Sequence, residues 1–244
     1  MNLPGRSGSD DAANDADVAE VANVAALIPA YREAGRIGPV IRGALAVVRT
    51  VLVVDDGSDD GTAGAARAAG AEVLLHPVNR GKGAAIKTGL AALAPQQVDW
   101  IVLLDGDGQH APGEITRFMA ARNTQRRALV IGNRMEDTRA MPPVRYWVNR
   151  LMSEAISRIC QQPIPDSQCG FRMVPREAVE VLLACPSDRF DYESEMLFAA
   201  SRAGFRIESV PISTIYAGEQ SKIHPARDTI RFLRLLWRHR GGRG

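Results

Sequence analysis

Two aspartates, Asp105 and Asp107, are separated by one glycine and follow directly on the apolar run 100–104. Carboxylates at the end of a strand can share one hard cation, usually Mg²⁺ or Mn²⁺ bound together with phosphate oxygens. Such a metal would neutralise the charge that builds on a departing diphosphate. A solvated Asp-Gly turn is the alternative. An EF-hand loop is excluded, because His110 and Thr116 stand where that loop requires glycine and glutamate.

A second acidic pair, Asp55 and Asp56, follows the apolar run 51–54 and precedes Gly57. Adjacent carboxylates in this position can bind the base or the ribose of a nucleotide. They can also form only a turn and the start of the helix that begins near Thr62. A receiver-type phosphoacceptor pocket is a rival interpretation, but it needs an acidic pair on the first strand and a much shorter chain.

Basic residues that could meet phosphate are spread along the chain. The segment 79–83 reads Asn-Arg-Gly-Lys-Gly and opens a helix, where glycine amides and the helix dipole favour an anion. It does not match the Walker motif. Arg134, Arg150 and Lys222 are further candidates, and the planar guanidinium of arginine suits phosphate. Taken singly, each could equally be a solvated surface charge.

The pattern of elements explains how these residues could meet. Apolar runs alternating with alanine-rich stretches predict strands over 25–28, 51–54, 72–75, 100–104, 129–131 and 206–212, and helices over 37–48, 62–69, 83–92, 114–121, 144–159, 178–184, 193–203 and 228–240. The segment 166–174 is predicted to be a loop that leads into a further strand. This alternation predicts one α/β domain over 23–244 with a mostly parallel sheet, after a disordered leader over 1–22. Ligands of such sheets bind outside the carboxyl ends of the strands. We therefore expect the polar residues after four strands to gather at one edge.

Composition narrows the class of protein. The chain has 244 residues, of which 45% are hydrophobic and 24% charged, which is typical of a globular domain. A net charge of +2 gives no reason to expect a nucleic-acid partner. No apolar run approaches the length of a membrane span, and no secretory signal is evident. Three cysteines without a CxxC pair argue against disulfides and a thiolate zinc site. A cytoplasmic protein is expected.

The order of these motifs resembles family 2 glycosyltransferases, and within them the polyprenyl-phosphate, dolichol-phosphate mannose synthase-like branch. The segments that carry the resemblance are 27–33, 53–58, 60–62, 79–83, 104–110, 132–134, 170–172, 210–212 and 221–223. They extend from about residue 24 to 235. Several motifs in the right order are far more specific than any one of them.

The resemblance implies a GT-A fold, a nucleotide-sugar donor and a divalent cation. It implies that the nucleotide-sugar is bound by Pro29, Tyr31, Glu33, Asp55, Asp56, Lys82, Gly106, Arg134 and Lys222, and the metal by Asp105, Asp107 and Gln109. Arg134 would lie near the diphosphate, and Arg150 would meet an acceptor phosphate. One departure is that Tyr216 stands about where the branch has an arginine, with Gln220 as an extra residue. GDP-mannose therefore cannot be assumed as the donor.

Family 2 enzymes invert the anomeric centre, which implies a direct displacement in which positioning and electrostatics supply most of the rate. A lipid-phosphate acceptor is already an anion and needs no strong base. A hydroxyl acceptor needs a carboxylate to take its proton. Asp191, Glu193 and Glu195 are the candidates, with Glu193 preferred, although acidic residues are also favoured at the start of any helix.

The last predicted helix bears on the acceptor. Arg227, Arg231, Arg234 and Arg238 share one face of it, and apolar residues occupy much of the other side. This pattern is typical of a helix on an anionic membrane surface, but also of a terminal helix packed on its domain. A soluble glycosyltransferase with a hydroxyl acceptor is the alternative function. A silent nucleotide-sugar-binding module and a sugar nucleotidyltransferase are weaker alternatives, since Asp105 and Asp107 are retained and the segment 29–33 lacks the glycine-rich opening of a nucleotidyltransferase.

Overall fold

The structure, a computed structural model, describes residues 24–121, 127–139 and 141–215. Its strands are β1 Val24–Ala30, β2 Thr50–Asp55, β3 Glu72–Leu75, β4 Trp100–Leu103, β5 Ala128–Asn133, β6 Arg172–Pro175 and β7 Arg206–Pro211. In the described part of the chain they form one seven-stranded sheet in the order β3-β2-β1-β4-β6-β5-β7. Only β6 runs antiparallel to its neighbours, β4 and β5. The prediction of a mostly parallel α/β sheet is confirmed.

Seven α-helices cover the sheet within the described ranges. They are α1 Ile37–Leu45, α2 Thr62–Ala68, α3 Lys82–Leu93, α4 Ile115–Ala121, α5 Pro143–Cys160, α6 Val179–Leu183 and α7 Tyr192–Arg202. Helix α1 ends three residues earlier than the sequence predicts, before Ala46, Val47 and Val48. The two valines are β-branched and lose side-chain freedom in a helix, so they favour an early end. A short 3₁₀ turn, Pro112–Glu114, precedes α4.

The core has two layers, one on each face of the sheet. Neighbouring strand residues point to opposite faces, so Leu27 packs into the layer that contains Ile86 and Leu90 of α3, while Ile28 packs into the layer of α1. Helix α3 approaches β1 closely at Gly89, where an added Cβ would stand 2.1 Å from a methyl carbon of Leu27. This close contact fixes α3, and with it the residues at its amino end, against the sheet.

The three cysteines, Cys160, Cys169 and Cys185, are free and buried. Burial raises the pKa of Cys160 to about 11 and that of Cys169 and Cys185 to about 12. Because the thiolate is the reactive form, we expect all three to react slowly with a disulfide reagent at pH 8 in the native protein and rapidly after denaturation. Rapid labelling of one thiol per native chain would contradict this expectation.

Two sequence predictions concern the ends of the chain. The leader over 1–22 and the amphipathic helix over 228–240 lie outside the described residues, so both remain predictions, as does the outer limit of the domain at 23–244. Among the helices that the structure describes, none combines the length and apolar character needed to cross a membrane.

Candidate active site

The centre of the site is an ion cluster of Lys82, Asp105 and Glu193. Asp105 follows β4, Lys82 is the first residue of α3, and Glu193 lies in the first turn of α7. The Lys82 ammonium lies 2.7 Å from Asp105 Oδ1 and 3.0 Å from Glu193 Oε1. All three side chains are mostly buried, with exposures of 16 to 24%. The fold thus places two carboxylates around one ammonium at the carboxyl edge of the sheet.

The opposite charges of Lys82 and its two carboxylate partners favour the ionised form of these side chains. Burial works against the charged form of Lys82, but the nearby carboxylates of Asp105 and Glu193 outweigh it and raise the pKa of the ammonium. Burial also disfavours the Asp105 carboxylate, yet Lys82 lowers the pKa of this group below its usual value. Asp105 is therefore an anion at neutral pH, as a metal ligand must be.

The segment 170–172, which reads Gly-Phe-Arg, covers one side of this cluster. A Cβ added to Gly170 would stand 2.6 Å from Asp105 Oδ2, 2.9 Å from Glu193 Oε1 and 3.0 Å from Lys82 Nζ. The fully buried Arg172 donates to the carbonyls of Cys169 (2.8 Å), Ser167 (2.9 Å) and Glu193. Arg172 thereby fastens both the loop that carries Gly170 and the start of α7.

Because Gly170 leaves no room for a side chain, Gly170→Ala should displace the three charged groups. We expect at least a tenfold loss of turnover, since small misplacements at a reacting centre are costly. Gly64→Ala is a matched control, because an added Cβ there meets nothing within 4 Å in helix α2. Activity assays and circular dichroism of both variants test this expectation. Undiminished turnover in Gly170→Ala would contradict it.

His110 lies buried beside the cluster, and its ring is 5.4 Å from that of Phe171. Burial, only partly opposed by Asp105, lowers the pKa of His110 to about 4, so the imidazole is neutral at neutral pH. Its Nδ1 atom is buried and has no hydrogen-bond partner among the described residues. Unpaired buried polar atoms are costly and uncommon in proteins. His110 was not a predicted site residue, although it ends the motif that begins at Asp105.

Asp107 and Gln109 form the rest of the predicted metal motif. Asp107 Oδ1 accepts a hydrogen bond from the Gln109 amide at 3.0 Å, and the Gln109 carbonyl accepts one from the amide of Ile215 at 2.9 Å. Asp105, Asp107 and Gln109 are all partly exposed. No three His, Cys, Asp or Glu side chains converge as a complete metal cage in the described part of the chain. Two carboxylates and an amide oxygen fit a cation that takes its remaining ligands from phosphate and water.

Asp55 and Asp56, predicted nucleotide contacts, are both buried and make contacts within the protein. Asp55 Oδ1 accepts the amide of Ser58 at 2.9 Å. Asp56 accepts the amides of Arg80 at 2.9 Å and Gly81 at 2.7 Å, and Oδ1 lies 2.6 Å from Nδ1 of His76. Asp56 therefore holds the loop immediately before Lys82. This role was not predicted, because neighbours 20 to 25 residues away leave no local signal.

Three residues predicted to line the nucleotide lie at the end of β1 or directly after it, and a fourth lies after β4. Pro29 is buried within β1 opposite Val54 of β2. Tyr31 is partly exposed and follows the strand. Glu33 is buried; its amide donates to Thr62 Oγ1 at 2.9 Å and its carboxylate pairs with Arg36 at 2.7 Å. Gly106 is buried against Ile37.

Arg134 lies after β5 and is held by Asp166, which the sequence analysis did not assign to the site. Arg134 Nε and Nη2 donate to the two Asp166 carboxylate oxygens at 2.7 and 2.9 Å, and the backbone amide donates at 3.1 Å. Both side chains are buried, with exposures of 6 and 0%. This fork-shaped pair fixes the arginine next to the cluster, where Arg134 contributes to the electrostatics of Asp105 and His110.

The remaining candidates are divided between the site, the surface and the undescribed ends. Glu195 is buried and accepts the amide of Ser187 at 2.8 Å, so it supports the chain before α7. Asp191 is the N-cap residue of α7 but makes no side-chain cap bond. Of the three acidic candidates for a base, Glu193 is the one that pairs with Lys82, which also pairs with Asp105. Arg150 lies on the exposed side of α5. Lys222 lies outside the described residues, seven positions beyond Ile215.

An acidic site at the strand ends of a mostly parallel sheet is the arrangement of a ligand-binding α/β enzyme, and comparison with known proteins gives the family. Residues 25–183 match the model of glycosyl transferase family 2. The chain is 33% identical over 211 residues to the glycosyltransferase AglJ of Haloferax volcanii, covering 84% of this chain and 68% of that protein. It is 28% identical over 212 residues to the UDP-N-acetylglucosamine–dolichyl-phosphate N-acetylglucosaminyltransferase of Methanococcus voltae, covering 78% and 84%.

Among solved structures, a similar fold is found in glucosyl-3-phosphoglycerate synthase from Mycobacterium tuberculosis in complex with Mn²⁺, uridine diphosphate and phosphoglyceric acid. The TM-score is 0.69 at 20% identity, over 97% of this chain and 84% of that chain. The chain belongs to glycosyl transferase family 2, and it is a glycosyltransferase with the GT-A fold. The predictions of fold, family and enzyme class are confirmed.

Proposed function

We propose that this glycosyltransferase transfers a sugar from a nucleotide-sugar to a polyprenyl phosphate, with a divalent cation and with inversion at the anomeric carbon. The observation that carries the proposal is the cluster of Asp105, Lys82 and Glu193 at the carboxyl edge of the sheet. The dolichyl-phosphate acceptor in the name of the Methanococcus voltae relative supports the class of acceptor. The Mn²⁺ and uridine diphosphate bound to the Mycobacterium tuberculosis enzyme support the cation and the donor.

The donor diphosphate would lie against Asp105, Asp107 and Gln109. Mg²⁺ or Mn²⁺ bound there would supply a Lewis acid that neutralises the leaving diphosphate. The buried neutral His110 adds no positive charge beside the cation. Ile215 is tied to Gln109, so the chain beyond it begins next to the metal motif. This placement supports the assignment of Lys222 to the donor phosphates, because seven residues can span up to about 23–25 Å.

Lys82 has a defined task in this mechanism. In the absence of a ligand its ammonium offsets part of the negative charge of Asp105 and Glu193. Once the donor is bound, the same ammonium lies where a phosphate or a sugar hydroxyl must enter, so it can donate to the ligand without a large movement. The acceptor phosphate needs no deprotonation, and Glu193 then serves to orient Lys82. Because these groups are already in place, little reorganisation accompanies the reaction.

A hydroxyl acceptor is the second candidate, and one observation favours it. Glu193 is a carboxylate within the cluster, near enough to Asp105 to share one ammonium, and a base for a hydroxyl must lie in such a position. The phosphoglyceric acid bound to the Mycobacterium tuberculosis enzyme supports this alternative, because it is a small molecule that carries a hydroxyl group. In this alternative Glu193 takes the proton of the acceptor.

An acceptor panel tests the proposal. Labelled nucleotide-sugars are incubated with Mn²⁺ and with a polyprenyl phosphate, the same polyprenol without phosphate, or 3-phosphoglycerate. Label transferred to the polyprenyl phosphate alone, and retained in Glu193→Gln, is the expected result. Transfer to a hydroxyl acceptor that Glu193→Gln abolishes would establish the second candidate instead. Transfer to none of the acceptors from any donor would overturn both.

A further inference from the structure

The connecting loop between helices α6 and α7, residues 184–191, lies directly on the amino end of α3. A Cβ added to Gly81 would stand 2.5 Å from the carbonyl oxygen of Asp188, and one added to Gly83 would stand 2.7 Å from the carbonyl carbon of the same residue. The amide of Ala84 donates to this carbonyl at 2.9 Å. The two glycines therefore let the connecting loop approach α3 closely enough for a backbone hydrogen bond.

Lys87 of helix α3 fastens the connecting loop through its side chain. Its ammonium donates to the carbonyl of Cys185 at 3.0 Å and pairs with the carboxylate of Asp188. The ammonium also lies 5.7 Å from the centre of the ring of Tyr192, the first residue of α7. Because the Asp188 side chain is 55% exposed, the ion pair adds little to the stability of the fold. Its effect should therefore appear in the position of the connecting loop.

The pair of Lys87 and Asp188 runs beside the pair of Lys82 and Glu193. Lys82 and Lys87 are five residues apart on α3, and Asp188 and Glu193 are also five residues apart. Five residues of an α-helix rise about 7.5 Å. The connecting loop and the start of α7 are thus joined to α3 by two ion pairs, and the pair with Glu193 is the one that belongs to the ion cluster.

The amino end of α3 is fixed to the sheet independently of the connecting loop. The carboxylate of Asp56, which follows β2, accepts the amides of Arg80 and Gly81 at 2.9 and 2.7 Å. These bonds do not involve residues 184–191, so the backbone before Lys82 keeps its place when the connecting loop shifts. A shift of the connecting loop would therefore change the position of α7 relative to Lys82.

The start of α7 moves with the connecting loop because hydrogen bonds join the two. Glu195 in the first turn of α7 accepts the amide of Ser187 at 2.8 Å. The amide of Tyr192 donates to the carbonyl of Arg189 at 3.1 Å. Glu193 lies between Tyr192 and Glu195 in the same turn, so the position of its carboxylate follows that of the connecting loop.

We propose that Lys87 is a positioning residue for sugar transfer, which holds the Glu193 carboxylate against Lys82 by fastening the connecting loop to α3. This inference rests on the proposed function, because that function assigns Lys82 and Glu193 to the reaction. Lys87 contacts the connecting loop and Tyr192, so its side chain acts on the reaction through them. A displacement of about 1 Å can cost about 10²-fold in rate, which is how a residue outside the reacting centre affects turnover.

The kinetic test is Lys87→Met, which keeps most of the length of the side chain and removes both the hydrogen bond and the ion pair. Rates are measured with Mn²⁺, a polyprenyl phosphate and the labelled nucleotide-sugar that the wild-type enzyme transfers. We expect kcat to fall about tenfold, while the donor KM changes by less than about twofold, because the metal motif is untouched. Lys87→Arg should retain most of the wild-type rate, since a guanidinium can donate to both partners.

Arg158→Met is the matched control, because Arg158 forms an exposed pair with Glu154 on α5 and also loses a basic side chain to methionine. We expect wild-type rates from it. Asp188→Asn removes the ion pair but leaves Lys87 its bond to the Cys185 carbonyl, so its loss of kcat should be smaller than that of Lys87→Met. The double variant should be no slower than Lys87→Met alone, since the pair is already broken.

Hydrogen exchange measures the attachment of the connecting loop without any substrate. Peptides of Lys87→Met that contain the amides of Ala84 and Ser187 should exchange faster than in the wild type, whereas peptides of β1 should not. Unchanged exchange at these amides, or equally faster exchange in β1, would overturn the proposal. A loss that appears in the donor KM instead of kcat would also overturn it, because Lys87 would then act on donor binding.

The wild-type enzyme separates this proposal from the proposed function. If it transfers sugar and Lys87→Met matches its kcat, the positioning role is rejected and the proposed function stands. If the wild type transfers sugar only to 3-phosphoglycerate, polyprenyl phosphate is rejected as the acceptor, and the same loss of kcat is expected with 3-phosphoglycerate because Glu193 then takes the proton. Transfer by the wild type to no acceptor would reject the proposed function, and with it a role of Lys87 in transfer.

Discussion

Asp105→Asn should lower turnover by about 10²- to 10³-fold while leaving the protein folded. The substitution keeps the size and shape of the side chain and removes the negative charge of one proposed metal ligand. Lys82 retains Glu193 as a partner at 3.0 Å, so no buried cation is left without a counter-ion. The loss should therefore appear in the chemical step and in metal binding rather than in stability. Initial rates over a range of Mn²⁺ concentrations measure it.

The control for Asp105→Asn is Glu154→Gln, which makes a comparable change from acid to amide on the surface. Glu154 is 58% exposed and pairs with Arg158 one helical turn away, a kind of contact that contributes little to stability. We expect wild-type rates from this variant. If Asp105→Asn retained full activity at saturating donor, the assignment of the metal to Asp105 would be wrong.

Asp166→Leu should destabilise the protein strongly. Asp166 is fully buried, and three donors of Arg134 depend on its carboxylate. Removing one partner of a buried pair leaves an uncompensated charge, which costs about 3–5 kcal/mol. For a domain of this size the thermal midpoint should fall by about 6–20 °C. Differential scanning calorimetry measures the change.

Asp137→Leu provides the comparison, because Asp137 forms a similar pair with Arg139 that is solvent-exposed. An exposed pair contributes about 0–1 kcal/mol, so the midpoint of this variant should barely move. The double substitution Arg134→Met with Asp166→Leu should recover part of the lost stability, since both charges are then absent. A midpoint of Asp166→Leu within about 2 °C of wild type, which corresponds to less than about 1 kcal/mol, would contradict a buried pair of the observed geometry.

The sequence was sufficient to predict the mostly parallel sheet and the edge of the sheet at which the candidate site lies. Buried parallel strands are short continuous apolar runs, and each run that ends in polar residues, such as those before Asp55 and Asp105, marks a carboxyl end. The antiparallel direction of β6 was not predictable in this way, because a strand pattern gives no direction. Its direction follows from its place between β4 and β5.

The partners of the site residues could not be predicted from the sequence. Lys82 and Glu193 are 111 positions apart, and Arg134 and Asp166 are 32 apart. Pairing over such separations depends on how α3, α7 and the loop before β6 pack, which no local pattern encodes. The Gly-Phe-Arg segment was a visible signal, but the reason for its glycine emerges only when Asp105 and Glu193 lie beside it. The roles assigned to these residues in binding and catalysis remain predictions.

Metal-dependent donor binding is the most direct test of the central claim that the cluster around Asp105 is the catalytic site of a nucleotide-sugar transferase. Thermal-unfolding midpoints are measured for the wild-type protein and for Asp105→Asn with GDP-, UDP- and dTDP-sugars, each with and without Mn²⁺ or Mg²⁺. At about 100 times its dissociation constant a ligand adds about 2.7 kcal/mol, so one class of donor should raise the wild-type midpoint by about 5–10 °C, only with metal and not in Asp105→Asn. A shift that is independent of metal and equal in both proteins, or no shift with any donor, would contradict the claim.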